Sequence, residues 1–166
     1  MKVILNTPLI AGDLVSEKRI ATHIYTVKEV TAPLEGFNED IIKIAVPGNH
    51  DHWFDMDGIR VGLLNAGFRV LENEAEQFGP LVIGGLDDDY TGRADLPATL
   101  AAMDQSEGAR IVLSHSPDPF PNMPENFGLM LAGHTHCGQI RYPWGGAPAT
   151  MSDHGERYAC GRVDEN

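Results

Sequence analysis

Residues 41–51 read IIKIAVPGNHD. An apolar run from Ile41 to Val46 breaks at Pro47 and Gly48 into three side chains with chemical capacity, Asn49, His50 and Asp51. A short apolar run closed by turn residues reads as a buried strand. The same layout recurs in PLIAGD (8–13), LVIGGLDDD (81–89), RIVLSHS (110–116) and GLMLAGHTH (128–136). Helical spacing fills the gaps between them. Ile20, Ile24, Val27 and Thr31 lie on one face behind a Ser16 cap and ahead of Pro33. Ile59, Leu63 and Leu64 lead to Gly67, and Leu96, Leu100 and Met103 follow Asp95 with Pro97 just inside. Strands alternating with helices predict an α/β layered domain. Beyond Pro143 a loop rich in Gly, Pro, Ala and Ser precedes a last strand candidate, YACGRV (158–163).

The chain has 166 residues, enough for one domain with its own core, and residues 1–166 are expected to form a single unit. Twelve Lys and Arg stand against 24 Asp and Glu, giving a formal charge of -12. That charge repels a nucleic-acid backbone or an anionic membrane unless a bound cation reverses the sign locally. Asn6, Thr7 and Pro8 interrupt the apolar start, and no window approaches the roughly 20 apolar residues of a membrane span, so a cytoplasmic protein is expected. Two cysteines, Cys137 and Cys160, allow one bridge but no disulfide framework. Cys137 reads as a turn residue beside Gly138, and Cys160 as a small buried hydrophobe.

The chemistry gathers where strands end, the place where a rigid sheet makes side chains converge. Asp13 closes the first strand, Asn49, His50 and Asp51 the second, His115 the fourth, and His134 with His136 the last. Singly, each has an ordinary explanation: Asp13 caps a turn, Asn49 follows Gly48 in one, and a lone histidine fills a partly buried slot. Together they form a nitrogen and oxygen ligand set suited to Mn, Fe, Zn or a similar divalent ion rather than to Ca or Mg alone. The absence of sulfur argues against a Cys-rich structural zinc site.

Gly12–Asp13, Gly48 to Asp51 as GNHD, His115 in LSHSPD, and GHTHCGQ at Gly133 to Gln139 resemble, in order and rough spacing, the calcineurin-like metallophosphoesterase family. The similarity runs from about Pro8 to Val163. It implies an αββα sandwich around a two-metal centre that hydrolyses phosphodiesters or small phosphomonoesters by metal-activated water. By position, Asp13 would bridge the ions, Asn49, His115 and His134 would complete one, and His136 would serve the other. His50 would stabilise the transition state or protonate the leaving oxygen, with Asp51 orienting its imidazole. The implied cofactors are one or two divalent ions per chain, drawn from Mn, Fe, Zn, Ni or Mg, and the implied partner is a small phosphoester.

The chain departs from the family pattern at its edges. No Asp-x-His occurs in the 166 residues, Ser16 stands where GDxxD has its second acid, and the C-terminal strands expected after YACGRV are missing. The sandwich is therefore expected to be shortened at both ends. Three arrangements of the second ion stay open, in this order: one tight and one weak metal, replacement ligands among His52, His23, His154 and Asp118, or ligands from another subunit. An uncovered sheet edge invites pairing with another chain, and a homo-oligomer is expected. The alternative function is a phosphoesterase-fold binding or scaffold module with impaired catalysis; a third reading is a single structural metal. Asp87, Asp88 and Asp89 read as solvated turn residues, while Arg141 is a candidate phosphate contact and Trp53 and Trp144 are candidate cleft walls.

Overall fold

The computed structural model describes residues 7–16, 23–125 and 127–165. Its strands form two sheets. β1 (Leu9–Ala11), β2 (Ile44–Val46) and β3 (Arg69–Val70) make a parallel three-stranded sheet in that order. β4 (Glu74–Phe78), β5 (Leu81–Gly85), β6 (Ala109–Ser114) and β7 (Leu129–Ala132) make a four-stranded sheet, antiparallel between β4 and β5 and parallel thereafter. The helices are α1 (Val27–Thr31), α2 (Asn49–Phe54), α3 (Met56–Asn65) and α4 (Leu96–Met103).

The period of two along each strand separates three cores. Ile44 and Val46 of β2 face Leu81 and Ile83 of β5 and Leu113 of β6, so the two sheets pack face to face. Ala45, one residue out of phase, turns the other way and meets Ile59 and Leu63 of α3, with Val27 and Val30 of α1 against the same cluster. Val82 and Val112 likewise turn outward to Met103, Leu96 and Leu100 of α4. Helix, sheet, sheet, helix is the αββα sandwich. Strands buried on both faces, as β2 and β5 are throughout, read as continuous apolar runs.

Three local readings change. Residues 17–22 of the first helical pattern lie outside the described residues, and 23–26 are not helical. The helix starts at Val27 because Thr26 and Glu29 form a reciprocal capping box, Glu29 N–H to Thr26 Oγ1 at 3.3 Å and Thr26 N–H to Glu29 Oε2 at 2.8 Å. YACGRV is not a strand: the Ala159 N–H bonds to Glu156 O in a turn, and Gly161 has φ +81°. Cys160 is exposed rather than buried, and it is bonded to Cys137 in a disulfide that ties this segment to the histidine loop. β4, unpredicted, is an edge strand with Glu74, Glu76 and Gln77, in which Ala75 packs against α4 and Phe78 against the core between the sheets.

Candidate metal centre

Four of the five apolar strands deliver their ligand-type residues at the same end of the sandwich. Asp13 follows β1, Asn49 opens α2 just after β2, His115 follows β6, and His134 lies two residues past β7. His115 is the hub. Its Nε2 is 2.9 Å from His134 Nδ1, 3.1 Å from Asn49 Oδ1 and 3.3 Å from Asp13 Oδ2. Its Nδ1 sits 2.6 Å from the Ala11 carbonyl oxygen, to which it donates, so the neutral ring presents a bare lone pair at Nε2. Two oxygen acceptors then face that lone pair, an arrangement that is stable only around a proton or a cation. Ligands about 2.1 Å from one ion lie roughly 3.0–3.4 Å from their neighbours, and these separations fall in or beside that range. Asp13, His115 and His134 form a metal-competent cluster by this geometry, with the Asn49 amide oxygen as a fourth ligand atom.

Close backbone packing makes the convergence achievable. A Cβ on Gly12, whose φ is +77°, would come within 2.5 Å of the Gly48 nitrogen and 2.8 Å of His115 Nδ1. A Cβ on Gly48 would collide with the Asp13 carboxylate. Only glycine lets the loops after β1 and β2 touch. Asp13 (φ 57°), His134 (φ 64°) and His136 (φ 50°) are all left-handed, a costly conformation that clusters at functional sites.

The protonation tendencies follow from this crowding. Burial disfavours the Asp13 carboxylate, but hydrogen bonding and charge from His115 outweigh it and hold the carboxyl below its usual range. Burial likewise works against a charged His115, yet Asp13 and the Ala11 carbonyl raise it. His134 is lowered by burial and then by His115 beside it. Its Nε2 is buried with no hydrogen-bond partner. Donor atoms held together and one of the histidines kept neutral are what a divalent ion requires of its residues.

Asp51 has a different task from the one expected. It does not pair with His50; its Oδ2 accepts N–H bonds from Asp13 (2.8 Å) and Gly48 (3.0 Å), and its Oδ1 accepts from Leu14 (2.8 Å). Both carboxylate oxygens are thus spent on clamping the β1 loop to the β2 loop. Burial, beyond what the Gly48 amide offsets, and the charge of Asp13 push its carboxyl up. The His50 backbone N–H donates to Asp13 Oδ1 at 2.9 Å, while its Nδ1 is buried without a partner.

The residues expected at a second ion are not gathered with this cluster. His136 is exposed, with Nδ1 3.3 Å from Gln139 Oε1, and Arg141 is exposed and makes no ion pair among the described residues. His52 is engaged by Asp87 at 2.6 Å, and His23 lies 3.7 Å from Glu29. Asp118 accepts from Ser152 and the Asp153 amide, and His154 packs on Tyr158.

The acidic run after β5 is the feature the sequence hid. Asp88, read as solvated, is 0% exposed; its Oδ2 accepts the Thr91 N–H at 2.7 Å and its Oδ1 has no partner. Its charge acts on both His115 and His134. Asp87 holds His52, and burial followed by its acidic neighbours raises Asp89. The strand-end rule that singled out the histidines applied equally here.

The model of the calcineurin-like phosphoesterases matches residues 6–138. The chain belongs to the calcineurin-like phosphoesterase family. It is 31% identical, over 80% of its length, to an uncharacterized metallophosphoesterase of Helicobacter pylori, covering 36% of that protein. It is 30% identical over 90% of its length to the uncharacterized metallophosphoesterase YkuE of Bacillus subtilis, covering 53% of it. Over 69% of its length it is 34% identical to the phosphodiesterase YaeI of Escherichia coli, covering 43% of it. The chain thus spans between a third and about half of these family members. No solved structure matches. Among the described residues no helix is long and apolar enough to cross a membrane.

Proposed function

We propose that this chain is a metal-dependent phosphoesterase acting on phosphodiesters or small phosphomonoesters, with water as the nucleophile. The observation that supports this is the convergence of Asp13, Asn49 and His134 on the bare Nε2 of His115. These four residues would hold a divalent ion, which would supply Lewis-acid charge and lower the pKa of water toward neutrality. It also offsets the chain's -12 formal charge where an anionic ester must approach. In this reading His50, whose backbone N–H is bonded to Asp13, stabilises the charge of the phosphoryl group or protonates the leaving oxygen. Asp51 acts through the loops it clamps. His136 and Arg141 are assigned to a second, weaker ion and to a phosphate oxygen, and a homo-oligomer is part of the same reading.

The test is hydrolysis of bis(4-nitrophenyl) phosphate and of 4-nitrophenyl phosphate with added Mn, Ni, Zn or Mg. Asn49→Ala and His50→Ala should both lower turnover, while only Asn49→Ala weakens metal binding. No turnover with any metal overturns the proposal. One observation favours the rival, a scaffold that has lost catalysis: the exposed position of His136 against Gln139, outside the cluster. That reading predicts about one ion per chain and no hydrolysis.

A further inference from the structure

Four aromatic rings run in an arc from His50 to His134. The His50 ring meets Trp53 edge-on at 5.2 Å, Trp53 meets Tyr90 at 6.1 Å, and Tyr90 lies tilted against His134 at 4.9 Å. The two ends are the residues assigned to the leaving oxygen and to the metal. The two middle rings belong to none of the three cores, and each leaves about half its surface in solvent: Trp53 is 50% exposed and Tyr90 49%.

Their mounts are rigid. Trp53 is on α2, whose next-door residue His52 is fastened to Asp87 at 2.6 Å. Tyr90 sits in the turn built on buried Asp88, which accepts the Thr91 N–H through its side chain and the Arg93 N–H through its carbonyl oxygen. Large rings held on fixed backbone yet left half uncovered, beside a site for an anion, offer π-faces to a flat group attached to that anion. The surrounding acid favours a neutral ring over further phosphates.

We infer that Trp53 and Tyr90 form a stacking wall for a planar aromatic group carried by the phosphoester held at Asp13, Asn49, His115 and His134. This rests on the proposed phosphoesterase reading and narrows its substrates to esters bearing a nucleobase or an aryl ring. The chain has two tryptophans, and Trp144 stacks on Tyr142 instead, so Trp144→Phe leaves Trp53 as the single indole reporter.

The experiment titrates the Zn-loaded Trp144→Phe chain with adenosine 5′-monophosphate, phenyl phosphate and ribose 5-phosphate, reading both Trp53 emission and, by calorimetry, Kd. The expected result is binding about tenfold tighter for the ring-bearing esters than for ribose 5-phosphate, with quenching of Trp53. A gain for adenosine 5′-monophosphate alone identifies the nucleobase, and an equal gain for phenyl phosphate identifies any flat ring. Read by calorimetry, Tyr90→Leu and Trp53→Leu should each remove most of the preference, and Trp53→Phe should keep it. Equal Kd values for all three ligands, or a preference untouched by both leucine variants, overturns the inference. Binding is read without turnover, so the two claims fail separately: hydrolysis indifferent to the ring sinks only the wall, and ring-dependent binding without hydrolysis sinks only the phosphoesterase reading.

Discussion

Replacing Asp51 with Asn tests whether the two loops of the candidate metal centre are held by one carboxylate. The substitution keeps shape and volume, so it isolates hydrogen bonding. Asp51 accepts N–H bonds from Asp13, Gly48 and Leu14 at 2.8, 3.0 and 2.8 Å. Asparagine has one acceptor oxygen. If that oxygen faces Asp13 and Gly48, the amide nitrogen is driven against the Leu14 N–H, donor to donor, in a buried site. A buried donor left unsatisfied costs about 1–3 kcal/mol, and bonds to a charged acceptor contribute about 1.5–3 kcal/mol each against roughly 1 for neutral ones. The relief of a buried charge offsets part of this, leaving a net loss of about 2–4 kcal/mol from a total stability of order 5–15. Urea unfolding at pH 7 measures it. The same variant should bind Zn more weakly, because the Leu14 amide next to Asp13 loses the bond that helps hold this loop, with Asp13 at φ 57°. A stability change within about 0.5 kcal/mol, typical of an exposed surface site, refutes the clamp.

Asp88→Asn removes a buried charge that acts on His115 and His134, so Zn affinity should fall several-fold in a competitive-chelator titration. An unchanged affinity would remove Asp88 from the account. The Cys137–Cys160 bridge closes a loop with a sequence separation of 23, worth about 3 kcal/mol in chain entropy. The double variant Cys137→Ala, Cys160→Ala should therefore melt roughly 6–12 °C lower by calorimetry, and a reductant should shift the parent chain but not the variant. Gly48→Ala places a methyl group into the Asp13 carboxylate, and it should weaken Zn binding more than Gly79→Ala, whose Cβ would meet nothing within 4 Å.

What was legible in the sequence was what repeats. Five apolar runs left a continuous hydrophobic signature, strongest in β2 and β5, which are buried on both faces, and the ligand-type exits stood out because several occurred at once. Ala45, Val82 and Val112 alternate with inward neighbours, which is how one run serves two cores. β4 escaped notice because an edge strand of Glu and Gln looks like surface, and YACGRV looked like a strand although its backbone turns at Glu156 and Gly161. Asp51 was misread because two of its partners are backbone amides of a distant segment, Asp13 and Leu14, which composition does not record. Asp88 was misread because its burial depends on the packing around the strand exit and not on its local turn bond to Thr91.

The central claim is that Asp13, Asn49, His115 and His134 hold the ion on which hydrolysis depends. The most direct measurement is elemental analysis of chelated and reloaded protein, paired with turnover of bis(4-nitrophenyl) phosphate on the same samples, for the parent chain and for His134→Ala. The account predicts at least one divalent ion per parent chain, with metal content and turnover falling together in the variant. Full metal loading in His134→Ala, or turnover that survives the chelator, would contradict it.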